Sequence, residues 1–267
     1  MIGLLLLVIA TASEPSISLQ GDLVQGAVVF GRTDPGNSVQ LDSQDVRVSP
    51  EGLFVLGFDR DASAGARLTV ARTDGTSLSR ELSIAPRDYA IERVDGLPPA
   101  QVTPPPEVLA RIRDDSRQVR EARARDDART DFAGGFHWPA MGRISGVYGS
   151  QRILNGQPRR PHYGVDVAGP VGTPVYAPAP GLITLAHDDM YYSGGTLIID
   201  HGHHLSSTFL HLSEILVAAG QRVEQGELVG RIGATGRATG PHLDWRMNWK
   251  KARVDPELLV EPMPASP

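Results

Sequence analysis

The chain has 267 residues, no cysteine, and 26 Lys plus Arg against 31 Asp plus Glu, for a formal charge of −5. Without cysteine there is no disulfide framework, no thiolate-held zinc and no thiol catalysis. The acidic balance argues against a nucleic-acid binder, which needs a basic stripe to neutralise phosphates. Glycine (29) and proline (21) are abundant together, which punctuates helices and favours short strands joined by turns.

Met1 to Ala12 opens the chain as an apolar run closing on Ala10-Thr11-Ala12. The run is far below the ~20 residues that span a bilayer. The small-x-small ending reads as a cleaved signal peptide over 1–12, although no Lys or Arg precedes it. Export to the periplasm or cell envelope, with no stable membrane span after cleavage, is the expectation.

From 17 to 85, apolar bursts recur at roughly ten-residue spacing, among them Val28-Val29-Phe30, Val39 and Leu41, Phe54-Val55-Leu56, and Leu68 and Val70. Asp34-Pro35-Gly36-Asn37 and Asp74-Gly75 supply turn chemistry between them. This predicts a small β-sandwich without catalytic residues, an accessory domain. Residues 86–132 read as a linker: Pro98-Pro99 and Pro104-Pro105-Pro106 form a stiff bridge. A charged helix follows over Glu107–Arg129, with Pro106 in its first turn.

All eight histidines fall in the last part, 133–267. Its apolar runs are short and glycine-separated, predicting strands at Ile144–Tyr148, Pro174–Ala177, Gly181–Ala186, Thr196–Asp200, Ser207–Leu212, Leu228–Ile232 and His242–Met247. The fold class is therefore mainly β, with an antiparallel C-terminal domain. His162 and Asp166 would lie ~13 Å apart on a straight strand. Two ligands of one zinc must each come within ~2.0–2.2 Å of it. The segment must bend if the two share a metal, and Gly164 permits a bend. His242 and Asp244 share one face of a strand, and His211 alternates with Leu210 and Leu212. One imidazole per strand on a shared face suits a hydrolytic metal site. His201, His203 and His204 are expected in a surface turn, His187 in solvent, and His137 packed beside Trp138. Tyr191 and Tyr192 either line a groove or pack on the sheet.

Phe136 to Met263 resembles the catalytic domain of the lysostaphin-type (LytM-like) zinc metallopeptidases, which cut peptidoglycan cross-links. The resemblance is carried by Trp138-Pro139, Ser145–Gly149, His162–Asp166, Gly172–Pro178, Ile199–Gly202, Phe209–Leu212, Val223–Gly236 and Thr239–Trp245. It implies His162 and Asp166 as ligands of one Zn2+, and His211 and His242 as general base and donor to the tetrahedral intermediate. The family's third ligand is a His where this chain has Asp244. Asp is a competent ligand, but His-Asp-Asp leaves Zn2+ formally neutral, a weaker Lewis acid. Such a site discriminates less against Mn2+ or Fe2+, and activity would shift to higher pH. The expected function is a metal-dependent endopeptidase acting on peptidoglycan cross-links. The change at Asp244 motivates an alternative, a silent LytM-like regulator that activates a cell-wall amidase. A biotinyl- or lipoyl-like carrier lacks the lysine it needs at a hairpin tip. The stiff bridge raises the expectation that the N-terminal sandwich covers the groove.

Overall fold

A computed structural model describes residues 15–96 and 104–264. The segment read as a signal peptide and the Pro98-Pro99 pair lie outside the described residues. Seven strands come first: β1 (Ile17–Gln20), β2 (Val28–Thr33), β3 (Ser38–Leu41), β4 (Gln44–Val46), β5 (Leu53–Gly57), β6 (Gly65–Ala71) and β7 (Ser77–Ser83). They pair as two antiparallel sheets, β1-β2-β5 and β4-β3-β6-β7. The alternation read from the sequence is the alternation of burial. Val39 and Leu41, and Ala66, Leu68 and Val70, face inward while their neighbours face out. With Val29, Phe54 and Leu56 from the other sheet they fill a shared core, because a strand presents every second side chain to one face.

The bridging region contributes a strand of its own, β8 (Ile91–Val94). A short 3-10 turn over Pro106–Val108 leads into helix α1 (Leu109–Arg123). The helix stops six residues short of the expected Arg129. Beyond it, Asp126 is bound by Arg47 (2.5 and 2.8 Å), and the Asp127 carbonyl accepts from His203 N at 2.9 Å. These tertiary partners outcompete continuation of a helix whose apolar stripe is thin.

The rest of the chain is β9 (Arg143–Gly146), β10 (Gln151–Leu154), β11 (Gln157–Pro158), β12 (Val165–Ala168), β13 (Pro174–Tyr176), β14 (Gly181–Met190), β15 (Gly194–Asp200), β16 (Leu205–Ile215), β17 (Arg222–Val223), β18 (Leu228–Ile232), β19 (His242–Trp249) and β20 (Ala252–Val254). The main path is an antiparallel sheet in the order β17-β14-β15-β16-β19-β12-β9, with β18 joining β13 to β16 and β20 paired to β19. Every expected C-terminal strand is present. The segment from His162 to Asp166 bends at Gly164, as the spacing of its two candidate ligands requires, and runs straight as β12 from Val165. Strand β8 pairs in parallel with β10, so the linker is stitched to the C-terminal part.

The sandwich and the large sheet share one continuous apolar core. Gly57 lies against Trp249: a Cβ at position 57 would sit 2.6 Å from Trp249 Cβ. Arg87 donates to Asp255 at 2.8 Å, Arg60 to the Gly149 carbonyl at 2.7 Å, and Tyr148 Oη to the Arg253 carbonyl at 2.6 Å. Among the described residues no helix is long and apolar enough to cross a membrane.

Candidate metal centre

Strand pairing brings Asp166 and Asp244 together. They are direct partners in the antiparallel register of β12 with β19, so both carboxylates leave the same face. His162 reaches that face from the turn ahead of β12. It is pinned by its own N–H to the Ser150 carbonyl (2.9 Å) and by Gly149 N–H to its carbonyl (2.7 Å). One ligand atom from each of His162, Asp166 and Asp244 lies within 4.8 Å of the others, and all three residues are buried. Two glycines make the space. A Cβ on Gly146, the partner of Asp166 on β9, would strike the Asp166 carboxylate, and one on Gly164 would strike that of Asp244. Gly164 does not adopt the left-handed backbone. It stands at the bend ahead of β12, as expected, and it also permits this close approach.

His162 Nε2 lies 3.1 Å from Asp166 Oδ1, yet neither His162 nitrogen nor that oxygen has a hydrogen-bond partner. Buried polar atoms left unpaired are costly. His162 Nε2 and Asp166 Oδ1 meeting beside a second carboxylate is the arrangement a cation satisfies. The donor set, one imidazole and two carboxylates, suits zinc and also harder divalent ions.

His211 and His242 stand beside the trio. His242 opens β19, and its Nε2 is 3.8 Å from Asp166 Oδ1. His211 sits where β16 exchanges one neighbour for another: Leu210 still pairs with Asp244 on β19, whereas Leu212 pairs with Ile232 on β18. At the exchange His211 takes a φ of 64°, a conformation costing a non-glycine residue ~1–3 kcal/mol. Its N–H to the Ser193 carbonyl and its Nδ1 on the Thr235 carbonyl, both 2.8 Å, hold it there. Simple alternation would have turned it away from both leucines. Both faces of β16 are covered from Leu205 to Leu212, so His211 is buried along with both leucines. His242 Nδ1 faces the Gly240 carbonyl at 2.8 Å, so both imidazoles commit Nδ1–H to a carbonyl and keep Nε2 for the site. The rings are 4.8 Å apart and tilted by 51°. Burial lowers the pKa of His211, against the pull of the Asp244 charge.

Two arginines escaped the sequence reading. Arg246 grips Asp244 with both prongs, Nε to Oδ1 at 2.9 Å and a terminal nitrogen to Oδ2 at 2.5 Å. Burial alone would raise the Asp244 pKa, but Arg246, with His162 and His211, holds the carboxyl far below the usual range. Arg152 reaches Asp166 Oδ2 at 3.3 Å and Glu92 at 3.2 Å. Glu92 is on β8, so the linker supplies a wall of the cavity over the site. That cavity is about 160 Å³ and is lined also by Ser145, Arg237 and Thr239. The signal for Arg246 was its parity with His242 and Asp244 on one strand; nothing local pointed to Arg152 or Glu92.

The remaining histidines lie away from the trio. His201 and His203 are buried, not in a surface turn. His201 bridges the Pro180 carbonyl (2.7 Å) and Ser207 Oγ (2.9 Å), and burial lowers its pKa to about 4. His203 packs edge-on against Phe132. His187 is half-buried, and its Nδ1 accepts from Asp189 N; His137 is exposed rather than packed. Tyr191 and Tyr192 contact each other, and Asp115 of α1 accepts from Tyr191 N at 2.8 Å. The helix thus anchors that loop.

The model of "Peptidase family M23" matches residues 160–256, a span holding every residue of this cluster except Glu92, Ser145 and Arg152. The crystal structure of a putative peptidase M23 from Pseudomonas aeruginosa superimposes with a TM-score of 0.70 at 30% identity, covering 89% of this chain and 95% of that one. Among curated proteins, the peptidoglycan DD-endopeptidase ShyA of Vibrio cholerae is 41% identical over 125 residues, 46% of this chain and 29% of its own length. Peptidoglycan DD-endopeptidase ShyB of the same organism is 40% identical over 95 residues, 36% of this chain and 22% of its length. The chain therefore spans less than a third of each of these two relatives.

Proposed function

Because the chain belongs to peptidase family M23, we propose that it is a metal-dependent endopeptidase of the cell envelope that hydrolyses peptide cross-links of peptidoglycan. The observation that carries the reading is the buried trio of His162, Asp166 and Asp244, with the His162 nitrogens and Asp166 Oδ1 unpartnered. The names of the DD-endopeptidase relatives support the substrate class.

The trio would hold one Zn2+, with Mn2+ or Fe2+ as alternatives, and that ion supplies Lewis acidity toward a carbonyl oxygen and toward water. His211 and His242 do the proton work. With Nδ1–H bound to a carbonyl, each ring offers Nε2 to the cavity, where one accepts a proton from the attacking water. The other, protonated, donates to the oxyanion that develops on the scissile carbonyl and then to the leaving amine. The carbonyls of Thr235 and Gly240 fix both rings in advance, so no reorientation is needed during the reaction.

The test is release of soluble muropeptides from purified sacculi by the full chain, with Zn2+ and again after chelation. Release that disappears with chelator and returns with metal supports the reading. A folded chain that releases nothing in any metal form overturns it and leaves the regulator of a cell-wall amidase as the surviving function.

A further inference from the structure

Each carboxylate of the trio is held by an arginine, but the two grips differ. Arg152 touches only Asp166 Oδ2, so Oδ1 stays unpartnered and faces His162. Arg246 occupies both oxygens of Asp244. His162 and Asp166 therefore form a ready half-site, whereas the third ligand is already paired. Arg152 is shared with Glu92 at 3.2 Å, so it is the Asp244–Arg246 pair whose charge closes without a metal. The sequence-level expectation of a site neutral with Zn2+ omitted these two cations.

Resting on the metal-centre reading above, we infer that Arg246 is a built-in competitor of the metal: its guanidinium holds Asp244, and loading requires that carboxylate to be shared with a divalent cation beside a fixed positive charge. The sign follows from the direction of the hydrogen bond. An outer partner that accepts a proton from a ligand raises the ligand's basicity. A guanidinium donating to a carboxylate draws charge from it and repels the incoming ion. Arg246 thereby sets a weak, exchangeable site and acts as a positioning residue, not as a ligand. Removing its charge frees Asp244, whose buried carboxylate then has the metal as its counter-ion.

The test is zinc affinity measured on the full chain by competition with a chromophoric chelator, a readout that needs no catalysis. Arg246→Gln is expected to bind Zn2+ at least tenfold tighter than the natural chain, on the ~10–100-fold scale of outer-partner effects. Arg246→Lys, which keeps the charge but cannot grip both oxygens, should fall between the natural chain and Arg246→Gln. The rise in melting temperature on adding zinc should be larger for Arg246→Gln, and Arg246→Met serves if the Gln variant does not fold. His162→Ala confirms that the ion measured is the one in this site. If the natural chain binds zinc and the neutral variants bind no tighter, the competitor role is wrong and the metal centre stands. If neither the natural chain nor any variant binds a metal, both readings fall.

Discussion

Gly164→Ala tests how tightly the site is built. A Cβ at 164 would lie 2.7 Å from Arg246 Cγ and 2.7 Å from the Trp245 carbonyl oxygen, and closer still to Asp244 Oδ1. Ordinary van der Waals contact begins near 3.4 Å. The carbonyl must therefore retreat by about 0.7 Å, the carboxylate by more, or both strands must part. The carbonyl belongs to the backbone of β19, which pairs with β12 and β16, so it has little freedom. Overpacking of this kind costs ~1–3 kcal/mol. The functional effect should exceed the stability effect, because a misplacement of about 1 Å at a reacting centre costs ~100-fold in rate. We expect muropeptide release to fall by about two orders of magnitude while the variant still melts cooperatively, a few degrees lower. Gly134→Ala, where a Cβ meets nothing within 4 Å, is the control. If Gly164→Ala keeps full activity and zinc affinity, the close approach is not what positions Asp244.

His211→Ala and His242→Ala should each lower kcat by ~10²–10⁴-fold with zinc affinity nearly unchanged; loss of zinc binding in either would make that residue a ligand instead. His201 tests the acid limb of stability. Its folded pKa of about 4 lies below the ordinary 6.5, so its stabilisation is complete above pH 6.5 and is lost as pH falls toward 4, about 3 kcal/mol in all. Asp200, pushed up to about 6 by burial, acts in the opposite sense, so the readout is the difference between the natural chain and His201→Gln in urea unfolding from pH 7 to 4. Parallel slopes would refute the assignment. Gly57→Ala should destabilise the whole chain by ~1–3 kcal/mol, because Trp249 Cβ is fixed to its strand. A variant that loosens only the sandwich, with the large sheet melting as before, would show that the two parts do not share one cooperative core.

The sandwich was legible because strands such as β3 and β6 are half-buried, so period-two patterning shows in the sequence; the large sheet was legible from short apolar runs bounded by turn residues, since β15 and most of β16 are buried on both faces. The candidate site was legible where chemistry and parity agree, at His242 and Asp244. It was illegible where a contact depends on register between distant segments. Arg152 meets Asp166 only because β9 and β10 fold back beside β12, and Glu92 joins them only because β8 pairs with β10. His201 shows the opposite failure. A histidine next to Gly202 looks like turn surface, yet the turn is roofed by Arg129, whose backbone stands where a side chain at 202 would be.

Parallel pairing of β8 with β10 bears on how this architecture could be cut or transplanted. Division at the end of α1 would leave Arg152 without Glu92 and Tyr148 without the Tyr89 ring it meets edge-on at 6.2 Å. The unit that moves as a graft must therefore carry residues 86–96 with it, although they lie upstream of the helix. In this chain the seam between modules runs through three dimensions and crosses the polypeptide more than once.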